Sequence, residues 1–508
     1  MTLALIDLLR ASVERSPEAE AVVHNGCRVR YGELWRRVCA LAGFLNERGF
    51  RKNDRVALLL ENSPEYVAAY CGVLAAGGAV VAFNTQAKAR DLTNWLRHSG
   101  ARWLIADVRH PELAALLPER GTCEVIGVAR DGVLPPENIH DWNALLNTAD
   151  IAGVHIAASA PNDLAQIIYT SGTTGAPKGV MLSHANLYNN VRSILAYLQL
   201  TENDRILNVL PFYYSYGNSV LHTHLAVGGA LILENSLAYP HRVIQRIVDE
   251  QVTGFSGVPS TYALLLSRVS LQDYDLSRLR YLTQAGGGMP PAHIMRVRAE
   301  LPHARLFVMY GQTEATARIA YLPPEKLEEK MGSVGIAIPG VEMELHEEHG
   351  EAVANGAVGE IWVRGPNVML GYWNDPETTA RVMQDHWLKT GDLARQDADG
   401  YFFIQGRSSD MIKTGAHRVS PQEIEQTILE LDGVAEAAVV GVPDEILGEV
   451  IKAVLVPREG FTLERLAVQA HCHRRLAPYK VPKLVEFVNE LPKTASGKIK
   501  RYLLTGVQ

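Results

Sequence analysis

Apolar positions in the first third of the chain alternate between two spacings. Across residues 31–49, YGELWRRVCALAGFLNERG sets Leu34, Val38, Leu41 and Leu45 three or four apart, which predicts an amphipathic helix. Between such stretches lie short β-branched runs, DRVALLL, GGAVVAF and RWLIADV, which read as buried strands. Strands alternating with helices imply a parallel sheet with crossover connections. The rhythm resumes through RILNVLPF, GALILE, TGFSGVP and RYLTQAGGG, and Ser183 stands where it can cap the helix HANLYNNVRSILAYL. Near Gly332 the pattern changes to short runs broken by glycine, VGIAIPG, VEMELHE and GEIWVRG, which predicts a small β-rich subdomain. A second boundary falls at GRSSD, residues 406–410. Beyond it SPQEIEQTILEL reads as a capped helix, EAAVVGVP and VIKAVLVP as strands, and LERLAVQAHCHRRL as a further helix. That is a compact α+β module of about a hundred residues, a common domain size.

Composition narrows the class. At 508 residues the chain exceeds what one hydrophobic core usually supports, so two or more domains are expected. A net charge of −7 argues against nucleic acid as the main partner, because binding a phosphate backbone needs a basic surface. Cys27, Cys39, Cys71, Cys123 and Cys472 are scattered, odd in number and without CxxC spacing. They indicate a reducing compartment, with neither a disulfide framework nor a zinc site. Asp7 interrupts the apolar start MTLALIDLL, so an amphipathic surface helix is expected there in place of a targeting segment. The uncharged residues 66–83 are just long enough to suggest a membrane span, but Gly77 and Gly78 divide them. A buried helix, a glycine turn and a buried strand account for them better, and a cytoplasmic protein without a membrane span is expected.

Candidate chemistry begins at residues 169–179, YTSGTTGAPKG. Directly after the apolar run LAQIIY, this stretch gathers Thr170, Ser171, Thr173 and Thr174 with Gly172, Gly175 and Gly179 around one cation, Lys178. Glycines permit a tight anion-cradling loop, hydroxyls and backbone N–H groups donate to phosphate oxygens, and lysine supplies charge. The spacing is not GxxxxGK[ST], so an ordinary P-loop NTPase is excluded. Composition alone would also suit a Gly/Ser/Thr linker. The preceding strand, the lone lysine and the apolar GVML that follows argue for a phosphate loop.

YTSGTTGAPKG resembles the signature loop of the adenylate-forming superfamily, which comprises acyl-CoA synthetases, nonribosomal-peptide adenylation domains and luciferases. The resemblance covers nearly the whole chain and implies an α/β fold with a large N-terminal domain of parallel α/β sheets plus a small β-rich subdomain. It implies a division into residues 1–405, a hinge at 406–410, and a small mobile α+β C-terminal domain at 411–508 that rotates between half-reactions. In YGQTEAT, Tyr310 matches the aromatic residue that stacks on adenine, Thr313 the threonine that contacts phosphate, and Glu314 the ligand of Mg²⁺. QAGGGMPP resembles the adenine-side loop. KTGDLA makes Asp392 the acceptor for the ribose hydroxyls, and GRSSD supplies Arg407 near ribose and phosphate. Arg418, in TGAHR, matches a second arginine that meets the nucleotide or the CoA-side tunnel. PKTASGKIKR resembles the terminal motif whose lysine, here Lys498, enters the active site for adenylation, while Lys500 and Arg501 read as a solvated tail.

These correspondences imply an ATP-dependent acid:CoA ligase that uses Mg²⁺. The carboxylate attacks the α-phosphorus of ATP, so Lys178, Lys498, Arg407 and a divalent metal at Glu314 are the groups that bring two anions together. Tyr213, Tyr214, Tyr216 and Asn218, with Gly286 and Gly287, are expected to line a mostly apolar acyl pocket suited to a fatty or other apolar acid. Three departures stand out. Tyr214 occupies a position where many members carry histidine, Ser409 replaces the usual Asp or Lys of the hinge, and Ala416 takes the place of a tunnel glycine. The basic cluster Arg474, Arg475, Lys480 and Lys483 suits CoA phosphates and equally suits a solvated face. Loading of a carrier-protein phosphopantetheine is the nearest alternative. For an amino-acid substrate FYYSYGNS lacks the usual aspartate, leaving His222 or His224 to meet the amine. A non-catalytic homologue that binds only nucleotide or acyl ligand, and a luciferase-type oxygenase, are the remaining alternatives.

Overall fold

The computed structural model describes all residues except 1–3, 131–132, 134, 149–150, 152, 171–177, 348–349, 355, 408–409, 415–416, 445–446, 494–498 and 506–508, together with the side chains of 148, 417 and 418. Two large sheets form the bulk of the chain. One has eight strands, with Leu164–Thr170, Ala79–Ala82, Arg55–Leu59, Trp103–Asp107 and Glu124–Val128 running parallel through its middle. The other has nine, with Arg305–Tyr310, Tyr281–Gln284, Gly254–Gly257, Arg205–Asn208, Ala230–Leu233 and Glu20–His24 parallel and antiparallel strands at its edges. Helices Pro64–Ala75 and Ser215–Val227 are buried over nearly their full length. Pro64–Ala75 is apolar nearly all round, as a helix inside a core should be, whereas Ser215–Val227 also buries Asn218, His222, Thr223 and His224; one hydrophobic cluster runs through both helices and both sheets.

The uncharged stretch at 66–83 resolves as expected into the buried helix Pro64–Ala75, a turn in which Gly77 adopts φ +82°, and the buried strand Ala79–Ala82. Among the described residues no helix is long and apolar enough to cross a membrane. Leu5–Arg15 is a helix with Leu5, Ile6 and Leu9 buried.

The third sheet contains Glu342–His346, Val358–Arg364, Trp387–Gln396 and Phe402–Arg407. VGIAIPG is shared between sheets: Ile336–Ala337 pairs with Ala320–Leu322 and closes the edge of the nine-stranded sheet, while Gly335 forms a single bridge to Phe402 of the third. The last sheet, with Ile412–Thr414, Val434–Asp444, Gly448–Pro457 and Leu484–Phe487, is packed by helices Pro421–Ile428 and Arg465–Arg475 around its own apolar cluster. Ser183 caps its helix in a reciprocal box with Asn186. Ser420 does not cap the helix at Pro421: its hydroxyl donates to the Gln405 carbonyl and so ties the C-terminal helix to the third sheet. Arg501 is no solvated tail either, since it bonds Glu425 Oε2 at 3.0 Å and the Val439 carbonyl at 2.9 Å.

Candidate active site

The signature stretch sits in an antiparallel hairpin. Leu164–Thr170 leads in, Lys178–Ser183 leads out, and Thr170 faces Lys178 across the pair. The residues between the two strands, Ser171, Gly172, Thr173, Thr174 and Gly175 among them, lie outside the described residues. Lys178 opens the outgoing strand, and its Nζ stands 5.2 Å from the centre of the Tyr372 ring. Tyr372 is there because Gly371–Tyr372 pairs with Val180 and Met181 along the free edge of the hairpin. Its hydroxyl donates to Glu314 Oε1 at 2.9 Å. A cation, a ring and a carboxylate thus stand in series.

A second cluster begins four residues before Glu314. Tyr310 ends its strand and donates its hydroxyl to Asp392 Oδ2 at 2.6 Å, while Arg407 Nε donates to Asp392 Oδ1 at 2.9 Å. Asp392 and Arg407 are register partners on neighbouring strands, so the ion pair is built into the sheet. Thr390 Oγ1 accepts from the Asp392 N–H, and Glu360 accepts from the Gly391 N–H at 2.8 Å. The charge of Asp392 is the main reason the Arg407 guanidinium is raised above its ordinary value. Burial first, and Asp392 next, push the Tyr310 phenol well up, so it stays a donor at neutral pH. Burial and then Glu314 act in the same way on Tyr372.

Residues 310–318 connect the clusters. Gly311 is required there because a Cβ would stand 2.0 Å from the Ala317 carbonyl oxygen, so the segment folds back tightly on itself. Thr313 Oγ1 meets Ser215 Oγ at 3.2 Å. Thr316 and Ala317 both have positive φ, 60° and 97°, an uncommon pair for residues other than glycine.

On the acyl side, Tyr214 precedes helix Ser215–Val227, and its hydroxyl accepts from Asn84 Nδ2 at 3.4 Å. Gln284 donates to the Gly287 carbonyl at 2.7 Å, which pins the glycine loop. A Cβ on Gly286 or Gly287 would meet Val258 or Pro259, whereas Gly288 faces Gln422 of the C-terminal helix. Asn218 is buried and lines a small cavity with Ile168, Leu182, Asn190 and His222. Lys498 and the Arg418 side chain lie outside the described residues.

The AMP-binding enzyme family matches residues 9–373, and its C-terminal domain matches residues 423–498. The chain belongs to the AMP-binding enzymes. Feruloyl-CoA synthase of Amycolatopsis sp is 36% identical over 485 residues, 95% of each chain. Long-chain-fatty-acid–CoA ligase of Bacillus subtilis (strain 168) is 33% identical over 98% of this chain and 93% of its own. The crystal structure of the anthranilate CoA ligase AuaEII with anthranoyl-AMP superposes with a TM-score of 0.92 at 27% identity, covering 99% of this chain and 96% of that one. This AMP-binding enzyme falls in the acyl-CoA ligase branch of the adenylate-forming superfamily and is an acid–thiol ligase of the AMP-forming acyl-CoA synthetase type. ATP, Mg²⁺ and CoA are the substrates and cofactors of that family.

Glu314 suits such a metal. Among the described residues no group of three or more His, Cys, Asp or Glu side chains gathers to hold an ion by itself. Mg²⁺ needs only one or two carboxylates when phosphates and water supply its other oxygens. His222 and His224 do not suit an amine: both are buried, bonded to the hydroxyls of Tyr70 and Tyr281, and pushed down by burial to about 3 and about 4. Of the basic cluster in the AMP-binding enzyme's C-terminal domain, Lys480 is paired with Glu423 at 2.7 Å and Arg475 with Glu430 at 3.1 Å. Sequence reasoning missed Tyr372, Thr390, Glu360 and Ser215. For Tyr372 the available signal was GYW, an aromatic pair after glycine in an otherwise apolar run.

Proposed function

We propose that this AMP-binding enzyme activates an acyl or aryl acid in two steps. The acid's carboxylate oxygen bonds to the α-phosphorus of ATP as the bond to pyrophosphate breaks. The thiolate of CoA then bonds to the acyl carbon as the bond to AMP oxygen breaks. Asp392 receives the ribose hydroxyls, Tyr310 lies against adenine, and Thr313, with Thr170, Ser171, Thr173 and Thr174 of the signature loop, holds phosphate oxygens. Glu314 holds Mg²⁺, which neutralises phosphate charge. Lys178, Arg407 and Lys498 stabilise the charge that develops as the anions meet. Tyr214 and the loop at Gly286 and Gly287 border the acid. Residues 1–405 and 411–508 act as two bodies joined at 406–410, so that Lys498 serves only the first step and Arg418 meets the nucleotide or the CoA tunnel.

The observation that carries this reading is the convergence, within residues 310–314, of the Tyr310–Asp392–Arg407 and Lys178–Tyr372–Glu314 clusters. The gap between the two family matches, from 373 to 423, supports a division near 406. All five thiols are free, in keeping with a reducing, cytoplasmic setting. The test is acid-dependent ATP–pyrophosphate exchange, followed by thioester formation on CoA. Lys498→Ala should lose exchange yet still convert supplied acyl-AMP to the thioester. Equal loss of both steps would contradict the alternation, and thioester formation on a carrier protein but never on CoA would replace CoA as the acceptor.

A further inference from the structure

Arg318 is 3% exposed, and among the described residues no carboxylate lies within 4.0 Å of its guanidinium. Arginine is almost never buried so fully without a charged partner. Its contacts are poor substitutes for a counter-ion: Nε donates to the thioether of Met309 at 3.3 Å, Nη1 to the Ala317 carbonyl at 3.3 Å, the neutral Tyr197 hydroxyl lies in hydrogen-bonding reach of the guanidinium, and the guanidinium lies 4.2 Å from the centre of the Tyr216 ring. A thioether is a weak acceptor, and a ring face attracts the charge without using up its donors.

The backbone holds Arg318 firmly in this position. Its carbonyl accepts from Asn190 Nδ2 and from Asn367 Nδ2, each at 3.0 Å, and the two left-handed residues before it set the direction of the chain. The surroundings are polar and lie on the acyl side. The Tyr216 hydroxyl meets Thr283 Oγ1 at 2.8 Å, Ser256 Oγ meets the same atom at 2.7 Å, and Thr283 stands three residues before Gly286. Arg318 also follows Glu314 by four residues on the segment that links the two clusters of the active site.

We infer that Arg318 determines specificity by receiving a second carboxylate on the acid, so that the substrate class is a dicarboxylic acid activated at one end only. This rests on the adenylation reading above and names the acid. A planar guanidinium pairs with a carboxylate through two parallel hydrogen bonds, which Met309 and Tyr216 cannot supply. A plain alkyl or aryl acid would leave the buried charge without a counter-ion. A site built around such a partner rejects analogues that lack it far more strongly than an apolar pocket rejects a missing methylene.

The test uses the full chain and matched pairs of acids, butyrate with succinate, hexanoate with adipate and cinnamate with 4-carboxycinnamate, assayed by ATP–pyrophosphate exchange and, independently, by calorimetric binding. At least one diacid should exceed its mono-acid partner about 30-fold or more in kcat/KM. Arg318→Met should abolish or invert that preference with the KM for ATP unchanged, and Arg318→Lys should retain part of it. A native enzyme that handles each mono-acid as well as its diacid overturns the inference. So does an Arg318→Met protein that loses all acids alike, or loses ATP affinity, while Arg318→Lys behaves as native. Diacid binding that needs Arg318 without any exchange would leave the inference standing and sink the adenylation reading instead.

Discussion

Tyr372 shows how a side chain without chemistry of its own can bear on the carboxylate proposed to hold the metal. Its hydroxyl fixes one oxygen of Glu314, and burial with the neighbouring carboxylate keeps that hydroxyl protonated. Tyr372→Phe should therefore leave turnover at saturating Mg²⁺ within about twofold and raise the Mg²⁺ concentration at half-maximal rate about tenfold or more, since a neutral hydrogen bond to a charged group contributes about 1.5–3 kcal/mol. A Mg²⁺ titration identical to the native one would remove Tyr372, and with it the proposed role of Glu314, from the metal site. The residues that sequence motifs point to were legible because their chemistry is local: Lys178 within glycines and hydroxyls, Glu314 beside Tyr310, Asp392 after a glycine. Tyr372 and Arg318 were not, because what distinguishes them is a partner gained or lacking in space, and no spacing along the chain records that.

At the level of elements, reading succeeded where one helix or strand satisfies itself and failed where it leans on another. Ser183 lies three residues before Asn186, and the capping box forms within its own helix. Ser420 has the same sequence context, but a neighbouring sheet offers the Gln405 carbonyl and takes its hydroxyl. Ile336–Ala337 looked like part of the small β-rich unit and was captured by the edge of a larger sheet. The capping box has reach as well: Asn186 Nδ2 donates to the carbonyls of Pro366 at 2.8 Å and Val368 at 2.7 Å, on the segment that carries Tyr372. Ser183→Ala should cost about 1 kcal/mol by urea unfolding, the usual loss for a cap. Asn186→Ala should cost more, because it also strips the carbonyls of Pro366 and Val368, the second of them buried, of their donor. Equal costs would show that the link to Pro366 and Val368 adds nothing to stability.

Across the whole molecule, three buried histidines contribute to how the fold answers acid. His184, His222 and His224 are pushed by burial to about 4, about 3 and about 4. In the unfolded chain each titrates near 6.5, as an unperturbed imidazole does. The folded values are the lower ones, so the unfolded chain takes up protons that the folded one refuses. Their stabilising effect is complete above about pH 6.5 and is lost as pH falls from there toward 4, by at most about 1.4 kcal/mol per pH unit for each histidine. Unfolding midpoints measured between pH 7 and 4.5 should fall steeply, and a flat profile would mean that these rings are hydrated. The pairing of Val180 with Tyr372 carries a different consequence, one of time. While the protein is being made, the outer strand of the signature hairpin has no neighbour until the ribosome has added residue 372, a wait on the order of ten seconds or more. An unpaired strand edge is a template for other chains. A chain truncated before residue 371 and released should therefore aggregate or recruit chaperones more than one truncated after residue 383 and released; equal behaviour of the two in a pelleting assay would mean that the edge is shielded by other means.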